Sequence, residues 1–201
     1  MEEMSNRPCL DMEKAIKVIC EQFCSFGISE EMVRETLKSC FIGWFSRSIA
    51  SALFAYCKDE EGDWCVLASE RGAEAADFRG RWNCPCGYLD FNERVDECAQ
   101  RECFEETGVQ IPLSEIHFIG YEDDPIKANR QNVTFRFGAF LEGAITSDFK
   151  FSKEWNEGEE VGDIKWIKVK DIDNYEWAFN HDTRIKEIFD KRYDYISVFN
   201  S

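Results

Sequence analysis

The spacing of apolar residues divides the chain into a helical first part and a longer part rich in strands. Within residues 1–45, an apolar stripe returns at every fourth position, at Ala15, Ile19 and Phe23. This spacing is typical of one face of an α-helix. A second helix is predicted from Ser29, because two glutamates follow in its first turn. We therefore predict a helical N-terminal extension over residues 1–45 and a main domain over residues 46–201. The sequence leaves open whether the extension covers one face of the domain, forms a homodimer contact or shapes a substrate pocket.

The main domain alternates strands with two helices. Strands are expected over residues 49–57, 64–69, 116–121, 133–139 and 163–169. The fourth of these alternates apolar and polar residues with the period of two that a strand requires. Residues 84–87, Cys-Pro-Cys-Gly, predict a turn. One helix is expected from an N-cap at Asn92 to a terminating Gly108, and a closing helix over residues 182–192. This order predicts an α/β fold with a mixed sheet between helices.

Three carboxylates on the internal helix are the first candidate for chemistry. Glu102, Glu105 and Glu106 have the spacing i, i+3 and i+4, so they share one helix face. Anions this close repel one another unless a positive charge lies among them. Mg²⁺ commonly binds a few carboxylates together with substrate phosphates. The spacing therefore predicts an Mg²⁺ or Mn²⁺ site that holds a polyphosphate, whereas most glutamate-rich helices simply present a solvated face.

A longer pattern surrounds these glutamates. Gly87 precedes Glu93 by five intervening residues, Arg101 directly precedes Glu102, and Gly108 follows the Glu-Glu pair. This pattern resembles the signature of the Nudix hydrolases, in which a glycine, a glutamate, an Arg-Glu pair and a Glu-Glu pair recur with these gaps. Every fixed position of the 23-residue signature is present.

The resemblance implies a fold and has two departures. The implied architecture is a Nudix-type α/β/α sandwich with a mixed sheet over about residues 48–192, to which the helical extension is added. Cys103 stands where an aliphatic residue is normal, and a small buried thiol packs much like a small hydrophobic residue. Cys86 stands where a glycine is usual, which affects the loop conformation more than the metal site.

The resemblance also implies a reaction and its residues. The reaction is hydrolysis of the pyrophosphate bond in a nucleoside diphosphate linked to another group, of the ADP-ribose, NADH or sugar nucleotide type. The implied cofactor is Mg²⁺, with Mn²⁺ as a substitute. The implied metal ligands are Glu102, Glu105, Glu106 and Gly87. Glu105, Glu106 and Arg101 are expected to be catalytic, with Arg101 pairing with Glu93 to orient the ligands.

A general base is expected either on this helix or in the later acidic loop, residues 154–160. A general base must reach the attacking water directly or through one more water, and Glu160 and Glu157 are the candidates in the loop. The same composition fits a solvated surface turn equally well.

Substrate contacts are predicted on the neighbouring loops. Arg71 and Arg81 flank the loop that enters the signature and are expected to bind phosphates. Tyr121 and Trp155 are candidates for stacking on a base. For each of these residues an ordinary surface or core role is the alternative.

Two other functions are compatible with the signature. One is a nucleoside triphosphate pyrophosphohydrolase of the sanitising type, which releases pyrophosphate. The other is a non-catalytic protein that senses a nucleotide and signals through its N-terminal helices. A binder has less need of three carboxylates in register, so the enzyme is favoured.

Charge and composition narrow the partners. The chain has 24 Lys and Arg against 40 Asp and Glu, a net charge of −16. It lacks a basic cluster able to neutralise a run of phosphates, so duplex nucleic acid and anionic membranes are not expected as partners. The apolar window at residues 41–56 is shorter than a bilayer span. The start of the sequence shows no apolar signal segment, so a cytoplasmic location with free thiols is expected.

Overall fold

The computed structural model describes residues 48–124, 132–154 and 159–199, together with Ser29, Glu31 and Met32. The chain divides into two units between Arg47 and Ser48. In the first unit, the Met32 N–H donates a hydrogen bond of 3.2 Å to Ser29 Oγ, the contact expected of the predicted N-cap. The rest of the predicted extension lies outside the described residues.

Seven strands form one sheet, which is mixed as predicted, and five of the seven were expected from the sequence. They are β1 Ser48–Lys58, β2 Trp64–Arg71, β3 Trp82–Asn83, β4 Cys86–Tyr88, β5 His117–Glu122, β6 Asn132–Ile145 and β7 Val161–Lys168. The order is β3-β2-β1-β6-β5, with β4 also paired to β1 and β7 to β2. The pair β1–β6 is parallel and the other pairs are antiparallel.

The described helices pack on both faces of the sheet. They are α1 Val95–Thr107, α2 His181–Asp190 and α3 Arg192–Phe199. Leu53 of β1 packs with Ala99 of α1, whereas Phe54 packs with Ile185 of α2. Burial of both faces explains why β1 is almost continuously apolar. The three layers confirm the predicted α/β/α sandwich. In the part of the chain that the structure describes, every helix falls short of what a bilayer span requires.

The strands β1 and β2 diverge, and the chain inserts β3 and β4 between them. The two long strands pair only through residues 56–58 and 64–66. Further along, β3 pairs with β2 and β4 pairs with β1, where Gly87 lies opposite Ser51. The predicted turn at residues 84–87 is therefore partly wrong, because Cys86 already belongs to a strand. Pro85 cannot donate a hydrogen bond, but its carbonyl accepts one of 2.9 Å from the Leu53 N–H and keeps the segment against β1.

The ends of α1 differ in how well they follow the prediction. The N-cap is Arg94, not Asn92, which has a positive φ of 65° in the preceding turn. The Arg94 N–H donates to the Glu97 carboxylate at 3.0 Å, so a residue three positions into the helix supplies the cap. The predicted C-cap is confirmed, since Gly108 has φ 74° and its N–H bonds to the Phe104 carbonyl at 2.7 Å.

The predicted closing helix over residues 182–192 is two helices. The first ends at Asp190, and Lys191 separates it from the second. The sequence shows no glycine or proline at this break, so no helix-terminating residue indicated the boundary.

The glycine that ends α1 gives a test of this packing. At Gly108 an alanine would be strained by its positive φ, and its Cβ would overlap the backbone of Ser152. We expect Gly108→Ala to lower the free energy of unfolding by about 2–4 kcal/mol, measured by urea denaturation. Gly62→Ala has a similar φ of 85° with open space around it and should cost only about 1 kcal/mol. Equal losses in both variants would contradict the close contact.

Candidate active site

The guanidinium of Arg101 connects the acidic side chains along α1. Arg101 Nε and Nη2 donate to the two carboxylate oxygens of Glu93 at 2.7 and 3.0 Å. Its Nη1 donates to Glu102 at 2.8 Å and to Glu105 at 2.9 Å. Its Nη2 also reaches the Tyr88 carbonyl at 3.0 Å. The bidentate pair lowers the pKa of Glu93 and raises that of Arg101. One fixed cation thus holds three carboxylates along one side of the helix.

Glu102 lies directly against Gly87 of β4. A Cβ at position 87 would overlap the carboxylate of Glu102, so only glycine permits this approach. Burial raises the pKa of Glu102, while the neighbouring Arg101 opposes this shift. The spacing in the sequence therefore reflects a contact between strand and helix.

Glu106 is held by donors from three strands. Ser69 Oγ of β2 donates to Oε2 at 2.8 Å, and the Cys86 N–H of β4 donates to Oε1 at 3.3 Å. Asn83 Nδ2 of β3 approaches Oε2 at 3.5 Å. Burial raises the pKa of Glu106 to about 8, the Ser69 hydrogen bond opposes this, and the charge of Glu102 adds to it. A carboxyl group in this environment strongly favours either a proton or a nearby cation.

The donor set is suited to a hard divalent cation. Glu102, Glu105 and Glu106 offer carboxylate oxygens and Gly87 a carbonyl oxygen, the atoms that Mg²⁺ and Mn²⁺ prefer. Across residues 48–124, 132–154 and 159–199, no three His, Cys, Asp or Glu side chains yet enclose a single metal position. Arg101 Nη1 donates to both Glu102 and Glu105. The chemistry of the residues fits a cation, and these two hydrogen bonds fix two of the carboxylates that would hold it.

The predicted loop base lies at the same end of the sheet. The Gly72 N–H donates to the Glu160 carbonyl at 2.7 Å, and Val161 pairs with Arg71. Two residues before Arg71 on β2 is Ser69, the donor to Glu106. Glu160 is exposed at this position. The other predicted residues of this loop, Glu157 and Trp155, lie outside the described residues.

The two predicted arginines also belong to this end of the molecule. Arg71 donates to the Asp77 carbonyl at 2.7 Å and to its carboxylate at 2.9 Å. Its charge acts to lower the pKa of Glu106, so it lies near the carboxylates. Arg81 is more exposed and forms an ion pair of 3.6 Å with Glu176.

The structure does not bring Tyr121 to the carboxylates. Tyr121 pairs with Phe135, which pairs with Ser51, which pairs with Gly87. Three steps across a sheet of about 4.8 Å each separate Tyr121 from Gly87 by about 14 Å. Tyr121 is 56% exposed at the sheet edge.

Sequence reasoning missed the residues that surround Glu106. Ser69 and Asn83 carry no local signal, since each is an ordinary polar residue in or at the end of a strand. His181 lies at the start of α2. Its Nδ1 accepts a hydrogen bond of 3.0 Å from the Cys84 N–H and anchors the inserted segment from the other face.

Comparisons with known proteins found related sequences and similar folds. The NUDIX domain model matches residues 49–189. Nucleoside triphosphatases NudI from Escherichia coli and Shigella flexneri are 29% identical over 112 residues, or 56% of this chain and 76% of theirs. The NUDIX domain of Shewanella oneidensis NrtR, solved with ADP ribose, has a TM-score of 0.60 at 19% identity, covering 74% of this chain and 90% of that one. A MutT/nudix family protein from Listeria innocua has a TM-score of 0.56 at 20% identity, covering 76% and 98%.

The raised pKa of Glu106 predicts a dependence of stability on pH. Between the ordinary value of 4.5 and about 8, the folded protein binds a proton that the unfolded chain does not. Stability must therefore fall as pH rises through this window, by about 1.4 kcal/mol per unit from this group. Urea denaturation in EDTA at pH 5.5 and 7.5 should show that the wild-type protein loses about 2–3 kcal/mol more than Glu106→Gln. Parallel pH dependences would show that Glu106 ionises normally.

Proposed function

The chain belongs to the Nudix family of pyrophosphohydrolases, and from that premise we propose that it uses a divalent cation to hydrolyse a nucleoside diphosphate linked to a second group. Water attacks one phosphorus of the pyrophosphate, and a phosphate monoester leaves. The observation that carries this proposal is the arrangement of two glutamates one turn apart on α1. Glu102 lies against Gly87, and Glu106 is buried among its hydrogen-bond donors.

The cation site consists of oxygen donors from Glu102, Glu105, Glu106 and Gly87. A bound Mg²⁺ or Mn²⁺ lowers the pKa of the attacking water and neutralises phosphate oxygens. Charge supports the assignment, because burial disfavours the ionised forms of Glu102 and Glu106 in the absence of a cation. Arg101 orients the carboxylates through its hydrogen bonds while Glu93 fixes the guanidinium from the other side.

The remaining residues of the site are proposed to bind the phosphates or to activate the attacking water. Arg71 and Arg81 supply positive charge on the loop next to the carboxylates, where an anionic substrate needs it in a chain of net charge −16. Glu160, directly before β7, is the proposed general base. Its exposure lets the carboxylate accept a proton from water, and its backbone is fixed by Gly72.

Two substrate classes are supported by different observations. A nucleoside diphosphate derivative, such as ADP-ribose, NADH or a sugar nucleotide, is the first candidate, and the same fold holds ADP ribose in the NrtR domain. A nucleoside triphosphate is the second candidate, because the relatives at 29% identity are named nucleoside triphosphatases. The small-molecule substrate and the cytoplasmic location remain expectations from the sequence.

Product analysis separates these candidates. Incubation with Mg²⁺ and a nucleotide panel, followed by ion-exchange chromatography, should yield two monophosphates if a diphosphate derivative is cleaved. Release of a nucleoside monophosphate and pyrophosphate would favour the triphosphate reading. Glu106→Gln should reduce turnover at least a hundredfold, because it removes an anionic ligand. Cleavage that persists in this variant or in EDTA would contradict the proposed site.

The role of Glu160 is tested by a comparison with its neighbour. We expect Glu160→Gln to lower kcat about a hundredfold with little change in KM, since general bases contribute on the order of 10²–10⁴ in rate. Glu159→Gln removes the adjacent exposed carboxylate and should retain nearly full activity. Full turnover by Glu160→Gln would move the base to the residues of α1.

A further inference from the structure

Two arginines flank a pair of phenylalanines near the carboxylates. The Arg81 guanidinium lies 5.5 Å from the centre of the Phe78 ring. The Phe78 and Phe179 rings meet edge to face at 5.1 Å. The Arg71 guanidinium lies 5.1 Å from the centre of Phe179. We call these four residues the Arg–Phe cluster.

The cluster is assembled by a pairing between distant parts of the chain. The Trp82 N–H donates to the Glu176 carbonyl at 2.8 Å, and the Ala178 N–H donates to the Trp82 carbonyl at 2.8 Å. This pairing brings the loop after β2 alongside the segment that precedes α2. Phe78 and Phe179 lie in these two segments, so the fold fixes them in contact although they are far apart in sequence.

The backbone at the cluster adopts a conformation that side chains rarely allow. Phe78 has φ 51°, Phe179 has φ 60° and Asn180 has φ 57°. Only five non-glycine residues in the described ranges have a positive φ, and three of them lie here. Such a conformation is costly for a bulky residue and persists only where the surroundings hold it. The positive φ values of Phe78 and Phe179 therefore lower the stability of the fold, and the surrounding structure holds the two rings in place.

The cluster extends from the carboxylates to solvent. Arg71 lies two residues after Ser69, the donor to Glu106. The Arg71 bonds to Asp77 use Nε and Nη2, so in the described part of the chain Nη1 donates to no protein group. At the other end, Phe78 is 39% exposed and Arg81 is exposed.

We propose that the Arg–Phe cluster binds the nucleobase end of the substrate, with the base stacked on Phe78 and Arg81 and with Arg71 directed to the phosphates. A planar base stacks on an aromatic ring or on a guanidinium, whatever its hydrogen-bonding edge. The exposed ring and guanidinium offer such a surface, and Arg71 offers a free donor between that surface and the carboxylates. This inference rests on the proposed function, since it names how the same site recognises the nucleoside part.

Equilibrium binding tests the inference without hydrolysis. Calorimetry would compare the wild-type protein with Phe78→Ala, Phe78→Leu and Phe78→Tyr, using AMP, GMP, CMP and UMP and the base-free ribose 5-phosphate. For the nucleotide that binds most tightly, we expect Phe78→Ala and Phe78→Leu each to weaken binding about tenfold. Phe78→Tyr should retain it, and binding of ribose 5-phosphate should not change. Phe118→Ala, which removes a 53% exposed ring on β5, is the matched control.

The outcomes separate this inference from the proposed function. Restoration of binding by leucine would show that Phe78 serves packing and would overturn the inference, as would an equal loss for the nucleotide and ribose 5-phosphate. No preference of the wild-type protein for nucleotides over ribose 5-phosphate would also overturn it. Binding that depends on Phe78, together with no cleavage of any nucleotide in the panel, would support the base site and reject the hydrolase proposal. Cleavage of a nucleotide, together with unchanged nucleotide binding in the Phe78 variants, would support the hydrolase proposal and reject the base site.

Discussion

The crowding of carboxylates on one face of α1 is the constraint on which the rest of the site depends. Like charges at this spacing repel, and burial of Glu106 makes the repulsion harder to screen. Each carboxylate therefore has its own neighbour: Arg101 of the same helix for Glu105, Gly87 of β4 for the approach of Glu102, and Ser69 of β2 for Glu106. The helix cannot occupy its position unless the strands beneath it are placed to supply these contacts.

The divergence of β1 and β2 is the backbone counterpart of that requirement. Two strands that stayed paired along their whole length would leave no backbone N–H groups pointing at Glu106. Because β3 and β4 fill the gap, the Cys86 N–H reaches that carboxylate and Gly87 reaches Glu102. The inserted segment is secured on its other face by His181 of α2, so the second helix layer contributes to the geometry of the first. The site is thus a property of all three layers.

The sequence predicted those features that depend on local periodicity or on a single special residue. The mixed sheet, α1 and the Gly108 cap were of this kind, because the spacing of apolar residues and the backbone freedom of a glycine can be recognised from the local sequence. The Asn92 cap was wrong because Glu97, inside the helix, caps the Arg94 N–H. Ser69 and Asn83 were not found, since their role depends on a strand divergence that brings separate segments together. Pairing between strands that are far apart in the sequence does not produce a recognisable spacing of residues along the chain.

The same acidic chain has to attract a polyanion, and this conflict accounts for the distribution of its cations around the site. Carboxylates that suit a metal ion repel phosphates, so positive groups must lie close to them without neutralising them. Arg101 is bound by three carboxylates, whereas Arg71 and Arg81 each pair with one carboxylate, Asp77 and Glu176, and otherwise contact aromatic rings. A guanidinium over a ring keeps its charge and several donors, because the ring offers a quadrupole and not an anion. The aromatic contacts therefore hold both arginines beside the acidic centre without adding a second anion to either.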